Sequence, residues 1–122
     1  MAFLKRLFSR PGSGPSNVGS LDARTIAQLE KAGADLRLSR ETLHYLYVAT
    51  ELDAEEARRS LARDGRTIDI RPAATGSGWL VLVTESMIVN LESITAVRQE
   101  IEAVSTRLGG EYDGWEAAVT PD

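Results

Sequence analysis

Between residues 91 and 108 the apolar side chains Leu91, Ile94, Val97, Ile101, Val104 and Leu108 recur at steps of three and four. That period lines one face of an α-helix about five turns long. Such a stripe has to be buried against a partner of similar length. Asn90 stands where a helix N-cap belongs. Gly109 and Gly110 stand where the helix must stop, because glycine enters the left-handed region without steric cost.

The remaining segments fit around that helix. Thr42-Leu-His-Tyr-Leu-Tyr-Val-Ala49 is dense in aliphatic and aromatic residues and reads as a strand. Asp53-Ala-Glu-Glu56 has the spacing of a capping box and opens a helix through Ala57 and Leu61 that ends at Gly65. Thr67-Ile-Asp-Ile-Arg71 alternates with period two, residues 72–78 form a loop, and Trp79-Leu-Val-Leu-Val83 reads as a buried strand. A last strand is expected from Tyr112 to Val119. From Thr42 onward the order is β-α-β-β-α-β, which predicts an α+β, ferredoxin-like sandwich with an antiparallel sheet. One extra helix, from about Asp22 near its cap to Ala32 before Gly33, is added in front, with Ile26 and Leu29 facing inward.

Ahead of that helix the composition changes. Residues 9–20 are rich in Gly, Ser and Pro, and residues 1–8 place Phe3, Leu4, Leu7 and Phe8 at helical spacing beside Lys5 and Arg6. Residues 1–20 are read as a flexible basic segment and linker, and 21–122 as the folded domain. A weak membrane-surface or partner-docking helix competes at residues 1–8 with a frayed terminus. No apolar run approaches the ~20 residues of a membrane span. No long apolar core precedes a cleavage site, so a bacterial cytoplasmic protein is expected.

Charge and residue types narrow the chemistry. The chain has no cysteine and one histidine, which excludes disulfides, thiolate metal sites, cysteine nucleophiles and all-histidine metal sites. The first twenty residues hold three cations and no acid. The rest holds eleven basic and eighteen acidic residues, a net −7 within the whole-chain −4. An acidic domain repels a phosphate backbone and attracts a basic protein surface, so no direct nucleic-acid binding is expected. His44 lies within a strand with no nucleophile at a motif spacing. Gly76-Ser77-Gly78 precedes a strand instead of a helix and reads as a hairpin loop. Neither a catalytic residue, a metal ligand set nor a cofactor is expected.

Tyr45 and Tyr47, two residues apart, share one face of their strand. On an open sheet face such rings can stack bases. Here the flanking cations and aromatics of RNA-recognition motifs are missing. The rings, with Trp79, are therefore expected to fill a core or lie under the first helix. Arg58, Arg59 and Arg63 lie on the outer side of the second helix, with Glu55 four residues before Arg59 in ordinary surface pairing. Glu92, Glu100 and Glu102 give the long helix an acidic exposed side of the kind that docks a basic partner.

Gly109-Gly-Glu-Tyr-Asp-Gly-Trp-Glu116 packs two aromatic rings and three carboxylates around a helix-to-strand junction. A helix, a Gly-Gly break and Glu-Tyr-Asp-Gly-Trp resemble the signature of the regulator of ribonuclease activity B family, the ribonuclease E inhibitor proteins. The resemblance covers about residues 22–120. His44-Tyr-Leu-Tyr47 and the leading helix with Leu29 and Gly33 support it. It implies a ferredoxin-like protein without catalytic activity that binds ribonuclease E, restrains its cleavage of RNA and alters the degradosome it organises. It also implies a long acidic C-terminal tail, whereas the sequence here stops at Thr120-Pro121-Asp122, so a mechanism resting on that tail is not expected.

On this reading the partner-binding residues are Glu111, Tyr112, Asp113, Gly114 and Trp115, with Glu100 and Glu102 on the long helix. The rings would anchor and the carboxylates would pair with arginines of the partner. Two alternatives stay open. Gly114 bends the strand so that Trp115 plugs the core, or the protein is a small RNA- or ligand-binding domain that uses the sheet face with Tyr45 and Tyr47.

Overall fold

A computed structural model of the chain describes residues 6–9 and 18–122. In chain order the elements are β1 (Arg6–Ser9), α1 (Val18–Lys31), β2 (Ser39–Val48), α2 (Glu51–Leu61), β3 (Arg66–Pro72), β4 (Trp79–Ile88), α3 (Leu91–Leu108) and β5 (Glu111–Ala118). The strands make one antiparallel sheet in the order β1-β5-β2-β4-β3. Without β1, the order β5-β2-β4-β3 is the ferredoxin-like arrangement predicted from the β-α-β-β-α-β pattern. No helix among the described residues is long and apolar enough to cross a membrane.

The helices cover one face of the sheet. Ala54, Ala57 and Leu61 of α2 and Val97, Ile101 and Val104 of α3 close over Leu46, Val48, Val81, Val83 and Tyr112. The predicted α3 stripe supplies most of this contact, although Leu91 at its start remains exposed. Leu29 of α1 joins a second cluster with Ala34, Val89, Ile94, Trp115 and Ala117, which extends the core past the end of α2. Both clusters meet at Met87 and α3.

Local signals account for most boundaries. Asn90 accepts from Ser93 N at 2.8 Å while its own N–H donates to Ser93 Oγ at 3.0 Å, a capping box that starts α3. Gly109 ends the helix at φ 67°. Gly110 is required for a different reason, since a Cβ there would stand 2.5 Å from the carbonyl oxygen of Tyr47.

Several boundaries differ from expectation. α2 is capped by Thr50, whose hydroxyl accepts from Asp53 N, so Asp53 sits within the first turn and favours the helix dipole from there. The helix ends at Leu61, and Gly65 serves the turn into β3. α1 begins at Val18, which puts Asp22 inside the helix and not at its cap. Residues 6–9 are a strand paired with β5, where the sequence offers a docking helix or a frayed terminus. The rest of the basic segment and linker, residues 1–5 and 10–17, lies outside the described residues.

Candidate functional site

The run from Gly109 to Glu116 is divided between structure and surface by a bulge. Leu46 of β2 pairs with Tyr112 and His44 pairs with Trp115. One residue of β2, Tyr45, therefore faces two of β5, Asp113 and Gly114. Gly114 takes φ 100°, a value that other residues avoid. In a regular strand Tyr112 and Trp115, three residues apart, would point to opposite faces. The extra residue turns both toward the helices, where they are 9% and 1% exposed. Burying such rings removes about 150–250 Å² each from water, at most about 4–6 kcal/mol apiece. Tyr112, Gly114 and Trp115, predicted as contact residues, thus belong to the core, and the alternative in which Gly114 bends the strand and Trp115 plugs the interior holds.

Polar partners follow the rings inward. Trp115 Nε1 donates to Asp22 Oδ1 at 2.9 Å, and the other oxygen of Asp22 accepts from Arg98 Nε at 2.6 Å. Arg98 Nη1 then donates to Glu102 at 2.7 Å. This chain ties α1, β5 and α3 together and occupies Glu102. Glu100 is occupied as well, because it accepts two hydrogen bonds from Arg66, whose side chain is fully buried, and pairs with Arg63. Both glutamates of the predicted docking helix hold elements of the fold in place. Tyr112 Oη and His44 Nδ1 share a hydrogen bond of 2.9 Å. Burial, then the charge of Arg66, lower the His44 pKa to about 3. Burial, reinforced by Asp22 and Glu102, pushes the Tyr112 phenol far above its ordinary value. Each of this pair is neutral near pH 7.

The surface residues of the run meet the tyrosines of β2. Glu111 pairs with Tyr47, and Asp113 lies in the bulge opposite Tyr45. Tyr47 in turn pairs with Leu80 and Tyr45 with Leu82, so these residues share the sheet face opposite the helices. Tyr45 and Tyr47 therefore do not lie under the first helix as expected. Trp79, by contrast, packs against the main core. The Tyr45 hydroxyl donates to Glu116, whose side chain lies on the same face and is buried.

This open face of β2–β5 is lopsided in charge. By register Glu41 of β2, Asp69 of β3, and Glu111, Asp113 and the buried Glu116 of β5 lie on it, and Arg71 of β3 pairs there with Asp69. Half-buried Tyr45, Tyr47, Leu80 and Leu82 make a flat apolar strip beside the carboxylates. Aromatic faces and carboxylates together bind guanidinium and ammonium groups, by cation–π contact and charge-assisted hydrogen bonds. Leu80 and Leu82 are not among the expected site residues because a continuous apolar run reads as a buried strand, and Glu41 is not because the strand expected from Thr42 in fact begins at Ser39. The alternation of Leu80 and Leu82 with Val81 and Val83 was the available signal.

The sequence model of one protein family, described as Regulator of ribonuclease activity B, matches residues 20–117. No curated protein and no solved structure matches the chain.

Proposed function

The chain belongs to the Regulator of ribonuclease activity B family, and from that premise we propose that it is a non-enzymatic cytoplasmic protein that binds and restrains a ribonuclease E-type endoribonuclease. The contact surface in this reading is the acidic sheet face, with Tyr45 and Tyr47 as the apolar ground and Glu111 and Asp113 as the charged rim. The observation that carries it is the pairing of Glu111 with Tyr47 and the placing of Asp113 against Tyr45. The family-like run and the strand tyrosines then act as one surface. A ribonuclease segment that grips RNA has to be basic, and a face with an excess of carboxylates complements it. The same excess opposes phosphate, which disfavours the alternative in which the tyrosines stack RNA bases.

The test is titration of the purified chain into a cleavage assay of a ribonuclease E-type enzyme from the same cell, with RNA-free binding followed in parallel. Slower cleavage with direct binding supports the reading. Binding to RNA alone, with none to the enzyme, favours the base-stacking alternative.

A further inference from the structure

The outer edge of β5 is paired along only part of its length among the described residues. β1 pairs antiparallel with it from Arg6 opposite Ala118 to Ser9 opposite Trp115. Among the described residues no strand pairs with the outer edge of β5 from Glu111 to Gly114. β1 lies before the family-matched residues 20–117 and is four residues long. Strands that short hold an edge weakly. The sequence around it, Lys5-Arg-Leu-Phe-Ser-Arg10, is cationic, whereas β5 carries Glu111, Asp113 and Glu116. The chain thus places a short strand that contains Arg6, from a cationic stretch of its own sequence, along a strand that carries three carboxylates.

We propose that the β5 edge is a strand-addition site for a basic extended peptide, and that β1 occupies it as an internal stand-in which the partner's segment displaces. An open sheet edge offers a row of backbone donors and acceptors that any extended chain can satisfy. Selectivity then comes from the charges flanking that row. The partner's segment runs antiparallel to β5, replaces β1 against Trp115–Ala118 and continues along Glu111–Gly114. β1 competes at the high effective concentration of a tethered ligand, of the order of millimolar. Free peptide therefore binds the intact chain weakly and binds a chain with β1 released much more tightly. The partner's identity as a ribonuclease rests on the function proposed above, but the chemistry of the edge does not.

The probe is a fluorescein-labelled synthetic peptide with the sequence of residues 1–10, titrated into the full chain and followed by anisotropy. Leu7→Pro with Phe8→Pro removes adjacent N–H groups, one of which must face β5, because successive residues alternate in direction. This double variant should bind the peptide at least ten-fold more tightly than the wild-type chain. A peptide carrying Lys5→Glu, Arg6→Glu and Arg10→Glu should bind it at least ten-fold more weakly. Equal affinity of variant and wild type, or no binding by a variant with a native circular dichroism spectrum, overturns the inference. Should the double variant not fold, Leu7→Cys with Ala117→Cys replaces it. These positions are Cα partners in a chain without other cysteines. Oxidation should abolish peptide binding and reduction restore it, and equal binding in both states overturns the inference. No ribonuclease is present, so a chain that takes the peptide and ignores the enzyme retains the edge site and loses only the proposed partner.

Discussion

Trp115 donates its indole N–H to the carboxylate of Asp22 across ninety-three residues of sequence, at 2.9 Å in the interior. The acceptor also holds Arg98, so one buried carboxylate fixes the added helix α1, the last strand and α3 at once. Asp22 and the Arg98 side chain are 1% and 10% exposed. Removing the acid leaves a guanidinium with half its partners and an indole N–H with none.

Asp22→Ala should therefore destabilise the fold by about 3–5 kcal/mol, the cost of breaking a buried ion pair on one side. Glu102→Ala removes the more exposed partner of the same arginine and should cost about 1 kcal/mol or less. Urea denaturation of the two variants checks the ranking. Equal losses would show that Asp22 does not organise the site.

The two glycines at the end of α3 should fail differently. Gly109 needs its left-handed backbone and has nothing within 4 Å of a prospective Cβ, so Gly109→Asn should cost about 1 kcal/mol or less. Gly110 needs space, because any Cβ meets the Tyr47 carbonyl at 2.5 Å. Gly110→Ala should cost about 1–3 kcal/mol by forcing α3 and β2 apart. Thermal denaturation of the pair separates conformational from steric need.

His44 makes stability depend on pH. Its pKa is lowered from 6.5 to about 3 by burial and by Arg66, so the neutral ring is the native form. Below pH 6.5 the unfolded chain takes up a proton that the folded chain refuses until about pH 3. Stability therefore rises with pH through that window, by at most about 1.4 kcal/mol per pH unit. His44→Gln keeps a polar group toward Tyr112 and cannot titrate. Between about pH 6.5 and 5 the wild type should lose about 1–2 kcal/mol more than this variant in urea denaturation.

The fold was legible because its periods were. The 91–108 stripe, the alternation of Ile68 with Ile70 and the Gly109-Gly110 stop predict the strand and helix order without tertiary information. The failures share one cause, that the deciding contact is distant in sequence. Asp22 looks like a cap until Arg98 and Trp115 claim it. Tyr45 and Tyr47 plainly share a face, but Leu46 and Val48 make the other face equally apolar, so alternation could not say which face the helices cover. Tyr112 and Trp115 have a spacing that fits one face only through the bulge at Gly114. β1 is legible neither as a helix nor as a frayed terminus, the two readings residues 1–8 offer, because its strand form depends on the distant edge of β5.

The candidate surface can be separated from the scaffold by charge reversal. Glu111 is exposed at the start of β5 and Asp113 lies in the bulge beside Tyr45. Glu111→Lys with Asp113→Lys should leave the denaturation midpoint nearly unchanged and weaken binding to the proposed ribonuclease partner at least ten-fold, as reversal of paired charges across an interface does. Tyr47→Ala should act in the same direction by removing an aromatic anchor, by about 1–3 kcal/mol. Glu100→Lys should behave in the opposite way. It sets a cation against Arg66 and Arg63, which now hold Glu100, and so should lower stability first and affect binding only through unfolding. Calorimetric binding and urea denaturation on all three variants resolve the two roles. Binding that fails with Glu100→Lys at full stability, and survives Glu111→Lys with Asp113→Lys, would move the interface from the sheet to α3.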